Sequence, residues 1–540
     1  MSYDLLRGLY LGAATNADLS SYNERLKVHV KTDLDRVLPE LARSKRDVVI
    51  TGNPGDGKSH LVRTLQDRGR LDGVEVELDL SATTEEQVIF HWRRARTAGR
   101  ALVLCGNEGP LTALLPHLAA IPELNAAARE LRGQLGRQVV SSADEIPPEP
   151  SEVVLVDLAD RTLLDSALIA SAIRQVCLPE FFPDAPNARD TSAGRNQELL
   201  LESEYGAARL ARVLVAAGGR CGEHVSFRKL WGAVSFAITA GKAQSTQVQE
   251  ASKGGDELDG SPVQNLLRAR GQGALLRAVR ELGDPAAIPT PQLDEDLWAH
   301  GAPRAGAWEA DAGPFTAPAT WWANNQHELA LAKFAALKRF VTLFHSAGEE
   351  VLLRMEADRD LPSRHADDAL RALVVGGLRR LFLSGSEEAI APSWLRAGLP
   401  LWVSHTYQEV PASERPYVAV AAVPASELEL RRPIAAPWLR GGLGPAPEVA
   451  WLRHAGSGVA LRLDPALLST LRRADRTDGT LSPPETVLRF LARLSGWEEQ
   501  RSAGRAAHMA VLDRPRGGLL AANTITQGRG GLAYGDEHVD

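Results

Sequence analysis

The stretch Val48-Val49-Ile50-Thr51-Gly52-Asn53-Pro54-Gly55-Asp56-Gly57-Lys58-Ser59-His60-Leu61-Val62 decides how this 540-residue chain is read. A β-branched run enters a glycine-rich turn, which opens onto helical spacing at Leu61, Val62 and Leu65. That is the strand, loop and helix context of a P-loop. Glycines at 52, 55 and 57 let the backbone curl with its N–H groups inward, and the helix N-terminus adds partial positive charge. Phosphate oxygens suit such a nest. Gly52, Asn53, Pro54, Gly55, Asp56, Gly57, Lys58, Ser59 and His60 are therefore the expected binding residues, with Lys58 reaching the β- and γ-phosphates and the Ser59 hydroxyl a ligand of Mg2+. A chance match in an Arg- and Gly-rich protein is the competing reading; the complete motif and its correct flanks weigh against it.

Downstream, short apolar runs alternate with helical stretches. Val74 to Leu80 reads as a strand, Thr84 to Ala98 as a helix capped near Thr83-Thr84, Ala101 to Cys105 as a buried strand, Leu111 to Leu135 as helical, Val153 to Val156 as another buried strand and Leu163 to Val176 as a helix. This pattern predicts an α/β fold, a P-loop NTPase parallel sheet with helices on both faces and ligands at the strands' C-terminal ends. Both polar strand ends, Asn107-Glu108 and Asp157, then fall beside the glycine loop. A hydrolase needs carboxylates for the Mg2+ shell and for orienting water. Two assignments stay open. In one, Glu108 positions the water and Asn107 replaces the usual Asp; in the other, Asn107 senses the γ-phosphate and Asp157 is the magnesium-side acid. Asp157 could also merely cap the helix expected to start near Thr162.

Residues 1–46 read as an N-terminal helical segment with a polar turn at 14–19, and a core is expected over 47–180. A helical lid is expected over 181–259. In it Ser226 is a plausible N-cap, which puts Arg228 in the first turn, where a cation opposes the helix dipole unless it meets an anion. Arg228 is accordingly a candidate γ-phosphate contact. Arg161, Arg174, Arg189 and Arg195 are available as arginine fingers for a neighbouring subunit. Polar and Gly/Pro-rich composition marks connections at 242–259 and 301–318. The segment 260–318 reads as mixed helix and linker, 319–502 as a mixed α+β C-terminal domain, and 503–540 as a flexible Gly-rich tail. Within 319–502, Lys333, Lys338 and Arg339 on one helix, and Arg371, Arg379 and Arg380 on another, are basic groups that could meet DNA or an acidic partner, although solvated faces are commoner.

Composition excludes several classes. The chain is 44% hydrophobic and 24% charged with net charge −7, values of an ordinary globular protein and not of one that coats DNA. No signal-peptide pattern or membrane-length apolar run occurs, so the expectation is a cytoplasmic protein with no membrane contact. Cys105, Cys177 and Cys221 lack a metal or disulfide spacing and are expected to be reduced.

With these residues in view, Gly52-Asn53-Pro54-Gly55-Asp56-Gly57-Lys58-Ser59 resembles the Gly-Asn-x-Gly-Asp-Gly-Lys-[Ser/Thr] loop of prokaryotic AAA+-like ATPases of anti-phage defence and restriction loci, and is most similar to the ATPase subunit of phosphorothioation-dependent DNA restriction. The likeness extends through Cys105 to Leu111, Val156 to Arg161 and Ser226-Phe227-Arg228, and continues weakly through Lys338-Arg339-Phe340. It implies an ATPase using ATP and Mg2+, with Lys58, Glu108, Asp157 and Arg228 in catalytic roles and Ser59 and Asp157 at the metal. It further implies a homo-oligomer among other subunits of a defence complex, with DNA met directly or through a partner. In such ATPases the segment before the first strand often lies beside the adenine. A zinc site found in some relatives is not implied, because only Cys177 lies in the corresponding region. A nucleotide-gated scaffold with little hydrolysis and, further off, a P-loop kinase are the alternatives.

Overall fold

The computed structural model describes residues 6, 8, 9, 22–135, 149–181, 191–219, 224–240, 257–269, 273–303, 315–357, 367–404, 411, 414–432, 439, 450–476, 482–501, 507–513, 518–528 and 531–535. The expected turn at 14–19, Arg189, Cys221 and most of the expected linkers at 242–259 and 301–318 lie outside these residues. Two compact units are present, one of residues 1–358 with 434–447, the other of 359–433 with 448–540.

The first unit is built on four parallel strands: β1 (Asp47–Thr51), β2 (Glu75–Glu77), β3 (Leu102–Cys105) and β4 (Val153–Asp157), in the order β2-β3-β1-β4. Apolar side chains on both faces make β1 and β3 wholly buried, as expected for strands covered by helices on either side. The alternation separates two cores. Val48, Ile50, Val103, Cys105, Val154 and Val156 meet the helices Leu34–Arg43 and Lys58–Asp67 on one face. Val49, Leu102, Leu104, Val153 and Leu155 meet Glu85–Thr97, Glu108–Ala119 and Asn125–Leu135 on the other. The chain leaving β1 therefore goes to one face and the chain leaving the adjacent β3 goes to the opposite face. Such a switch point opens a crevice at the strands' C-terminal ends, the usual ligand position in open α/β sheets.

One buried carboxylate fixes the other end of the sheet. Asp47, only 3% exposed, accepts from Leu102 N–H at 2.8 Å, Trp92 Nε1 at 2.6 Å and Arg96 at 3.1 Å, tying β1 to β3 and to the helix Glu85–Thr97. That helix begins with a capping box in which Thr84 and Gln87 bond reciprocally.

A third, helical core belongs to the same unit. Helices Ser166–Val176, Gly206–Gly218, Phe227–Thr239, Pro262–Arg268, Ala274–Leu282 and His327–Phe344 supply it. Two cations expected as a surface charge are internal here. Lys338 is 1% exposed and paired with Asp294, while Arg339 pairs with Asp284 at 2.6 Å. Their stems fill the core and their charges are met within the unit, which removes them as a contact for DNA.

The second unit joins helices Asp367–Arg380, Pro465–Arg476 and Glu485–Arg501 to two antiparallel sheets around Phe382, Trp402 and Tyr417. Strands β5 (Gly398–Val403), β6 (Tyr417–Pro424), β10 (Ala507–Asp513), β11 (Gly518–Gly528) and β12 (Gly531–Gly535) form one sheet in the order β12-β11-β10-β6-β5. β7 (Leu428–Arg431), β8 (Ala450–His454) and β9 (Ala460–Leu463) form the other. The glycine-rich end, where little periodicity suggests a mobile tail, contributes three strands that gain their order by pairing outward from β6. Among the basic residues of Asp367–Arg380, Arg371 meets Asp368, and Arg379 and Arg380 meet Glu388.

Replacing Asp47 by Ala strands two buried N–H groups and the Arg96 guanidinium, a loss of about 3 kcal/mol. Urea unfolding of Asp47→Ala is expected to begin at clearly lower denaturant; a curve superimposable on wild type would contradict this account of the sheet.

Candidate functional site

The loop after β1 crosses the crevice in a conformation that only glycine adopts without strain at three points: Gly52, Gly55 and Gly57 have φ of +138°, +92° and +86°. At Gly55 the need is also spatial, because a Cβ there would lie 2.8 Å from the Cβ of Arg228 and 3.2 Å from Ser226 Oγ. The loop passes directly into the helix Lys58–Asp67. A run of left-handed glycines ending at a helix N-terminus is a concavity of N–H groups suited to an anion.

Lys58 sits at the switch point. Its Nζ donates to Gly52 O at 2.9 Å, Asn53 O at 3.0 Å and Asn107 Oδ1 at 2.9 Å, so the ammonium joins the β1 loop to the end of β3. Burial lowers its pKa, while the charges of Asp56, Asp157 and Asp79 work against that shift. Ser59 Oγ donates to Leu78 O at 2.8 Å. On the far side of β1, Asp157 is paired in register with Thr51 and accepts from Ala159 N–H at 2.9 Å, capping a short turn. Its pKa is raised by burial and then by the neighbouring charges of Glu108 and Asp56. Glu108 opens the helix Glu108–Ala119 and is exposed. Loop, Lys58, Asn107, Glu108 and Asp157 thus share one crevice, flanked by the ends of β3 and β4.

Asp56 holds the loop from beneath. It is 1% exposed; Oδ2 accepts from Asn53 N–H at 2.7 Å, Oδ1 lies 2.7 Å from His224 Nε2, and its carbonyl accepts from Arg161 at 2.8 Å. His224 leads into the helix Phe227–Thr239, whose N-cap is Ser226, accepting from Lys229 N–H at 3.4 Å. Arg228 N–H donates to Gly55 O at 3.2 Å and its side chain is exposed over the loop. This helix is therefore attached to the loop by backbone, side-chain and van der Waals contacts. Arg161, available from sequence as a finger for another subunit, is 6% exposed and stacks on Phe227 at 5.1 Å, so it supports its own loop instead. Arg174 and Arg195 are exposed.

His60 points away from the crevice contacts of Lys58. Its Nε2 lies 3.1 Å from His29 Nδ1, and His29 Nε2 lies 2.7 Å from Asp35 Oδ1, all three residues being buried. They line a narrow cavity behind the loop with Val28, Val30, Leu61, Phe227 and Trp231. His29, Asp35 and His224 were not marked by sequence, since their meaning comes from contacts distant in the chain. Phe227 and Trp231 carry a weak signal, aromatics four apart on one helix face.

Cys105 and Cys177 are free and buried, their thiols pushed up to about 12 by burial. Among the described residues no group of three or more His, Cys, Asp or Glu could hold a metal ion, and no helix is long and apolar enough to cross a membrane. The fold and crevice define the chain as α/β, with a glycine loop at the switch point of a parallel sheet. Comparison with protein-family models, curated proteins and solved structures finds no match.

Burial, and then the proximity of His29, lower the His60 pKa to about 4. The unfolded chain, with a histidine near 6.5, binds the proton first on acidification, so this contribution to stability is present above 6.5 and is lost as pH falls toward 4. The loss is about 3 kcal/mol. Unfolding of wild type and His60→Phe across that window should show a steeper acid slope for wild type; parallel slopes would contradict the assignment.

Proposed function

We propose that this chain binds ATP with Mg2+ between the glycine loop and the ends of β3 and β4 and hydrolyses it. In this reading it is an AAA+-like, cytoplasmic P-loop component of a multi-subunit bacterial defence complex of restriction type, coupling nucleotide state to the action of a partner or on DNA. The observation that carries the nucleotide half is Lys58, held at the switch point by Gly52 O, Asn53 O and Asn107 Oδ1. All three partners are neutral oxygens. A phosphate oxygen sets a full negative charge against the ammonium, so an arriving triphosphate competes with them for Lys58.

The residues fit that ligand. The loop lacks side chains where the backbone must approach, with Arg228 over Gly55 and Phe227 beside Gly57. Ser59 and Asp157 would hold Mg2+, which supplies charge neutralisation to the phosphate oxygens when bound. Glu108, exposed at the mouth, and Asp157, with its raised pKa, are the carboxylates that can orient an attacking water. Arg228 lies at the start of the helix attached to Gly55 and can reach across the loop toward a terminal phosphate. The defence setting, partner subunits, homo-oligomer and DNA rest on the sequence resemblance alone.

One observation favours a second reading, a nucleotide-gated scaffold with little hydrolysis. Ser59 Oγ is bonded to a backbone carbonyl and Asp157 Oδ1 to a backbone N–H, while Asn107 stands at the end of β3 where a carboxylate would serve hydrolysis. ATP turnover separates the two. The account expects turnover in wild type and a fall of about 100-fold or more in Lys58→Ala, with Glu108→Gln impaired at unchanged ATP binding and Asp157→Asn impaired in turnover. Equal rates for wild type and Lys58→Ala would contradict the site; tight binding without turnover would select the scaffold.

A further inference from the structure

The three-stranded sheet of the second unit has two unlike faces. Leu428, Ala450, Leu452, Leu461 and Leu463 alternate along β7, β8 and β9 and enter the core of that unit. By the same period of two, Glu429, Arg431, Trp451, Arg453, Ala460 and Arg462 occupy the opposite face. Arg462 is exposed there, while Arg431, Trp451 and Arg453 are half-buried and belong to no core.

Register aligns these residues. Arg431 lies opposite Trp451, and Trp451 lies opposite Arg462, so one row across the three strands reads Arg-Trp-Arg. Neighbouring strands are about 5 Å apart and residues two apart on one strand about 7 Å, which brackets the indole with cations on both sides and sets Arg453 next along its own strand. The Arg453 guanidinium lies at the β8–β9 turn, 3.9 Å from the position a Cβ would take on Gly458. Arginines beside a tryptophan often stack on it and steady the sheet. Here, among the described residues, no cation or ring stacks on Trp451, Arg431 turns to Glu429 at 2.6 Å, and Arg462 has no ion pair. Three arginines against one glutamate make the face locally basic in a chain of net charge −7.

We propose that this outer face of β7, β8 and β9 binds single-stranded nucleic acid, one base stacking on Trp451 and the flanking phosphates meeting Arg462, Arg453 and Arg431. An aromatic ring takes the π-face of any base, and guanidinium groups match phosphate oxygens in geometry as well as charge. A single strand is the partner because only an unpaired base offers its face to a ring. The face shares no residue with the glycine loop, so it stands or falls independently of the nucleotide reading.

The test is fluorescence anisotropy of short end-labelled oligothymidylate and oligouridylate with the full chain, without ATP, over a series of salt concentrations. Binding of either strand by wild type is expected, and the tighter of the two identifies the preferred sugar. Trp451→Ala should weaken binding by about tenfold or more, and Trp451→Phe, which keeps a stacking surface, should stay within about threefold of wild type. Arg462→Ala, at an exposed position, should lower the slope of log affinity against log salt by about 0.7, the value of one phosphate contact on a single strand. Absence of binding by wild type at low salt overturns the proposal. So does an affinity unchanged in Trp451→Ala, or displacement by polyglutamate as readily as by unlabelled oligonucleotide, either of which makes the face a general anion surface. Should Trp451→Ala fail to fold, Arg462→Ala still decides, because an unchanged salt slope there overturns the assignment.

Discussion

A carboxylate that is 1% exposed stays in a folded protein only if its lone pairs are met, and Asp56 meets that condition inside the glycine loop. One oxygen holds the Asn53 N–H and so sets the curl of the loop; the other reaches His224 at the entrance to the helix Phe227–Thr239. Its backbone carbonyl takes a hydrogen bond from Arg161, which follows β4. Three segments far apart in sequence converge on this one residue. The left-handed glycines on either side make that convergence sterically feasible, since a Cβ at Gly52 or Gly55 would strike Leu158 or Arg228.

The same convergence gives the crevice its electrical character. Lys58 is drawn into a region shared with Asp56, Asp79 and Asp157, where burial works against its charge and the carboxylates work for it. Asp157 feels the converse, with burial and two acidic neighbours raising its pKa. A polyanion with its divalent cation brings charges of both signs to groups of both signs, which is why the nucleotide reading suits the site better than a simple anion does. Because the loop is bonded to Arg228 N–H and Asp56 to His224, any adjustment of the loop on ligand arrival acts directly on the helix Phe227–Thr239.

The alternation of strands and helices around β1, both polar strand ends, and the Ser226 cap were legible from local pattern, because periodicity and capping are local properties. What sequence did not disclose depends on distant partners. Lys338 and Arg339 read as exposed charge on a basic helix, yet Asp294 and Asp284 from earlier helices neutralise them inside the unit. Arg161 read as a free finger, whereas a backbone carbonyl and an aromatic ring hold it under the loop. The strands near the C-terminus were hidden by their glycines; they depend on pairing with β6 and not on their own propensity. His60 was named with the loop because it follows Ser59. The helix Lys58–Asp67 instead turns it toward His29 and the cavity behind.

The central claim is that a triphosphate occupies the loop from Gly52 to Ser59. Backbone hydrogen exchange of the full chain with and without Mg2+ and ATP tests it most directly. The account predicts slowed exchange confined mainly to the amides of 52–61, with a second protected stretch at the start of the helix Phe227–Thr239, and loss of both effects in Lys58→Ala. Unchanged exchange at 52–61 in the presence of saturating ATP would contradict it.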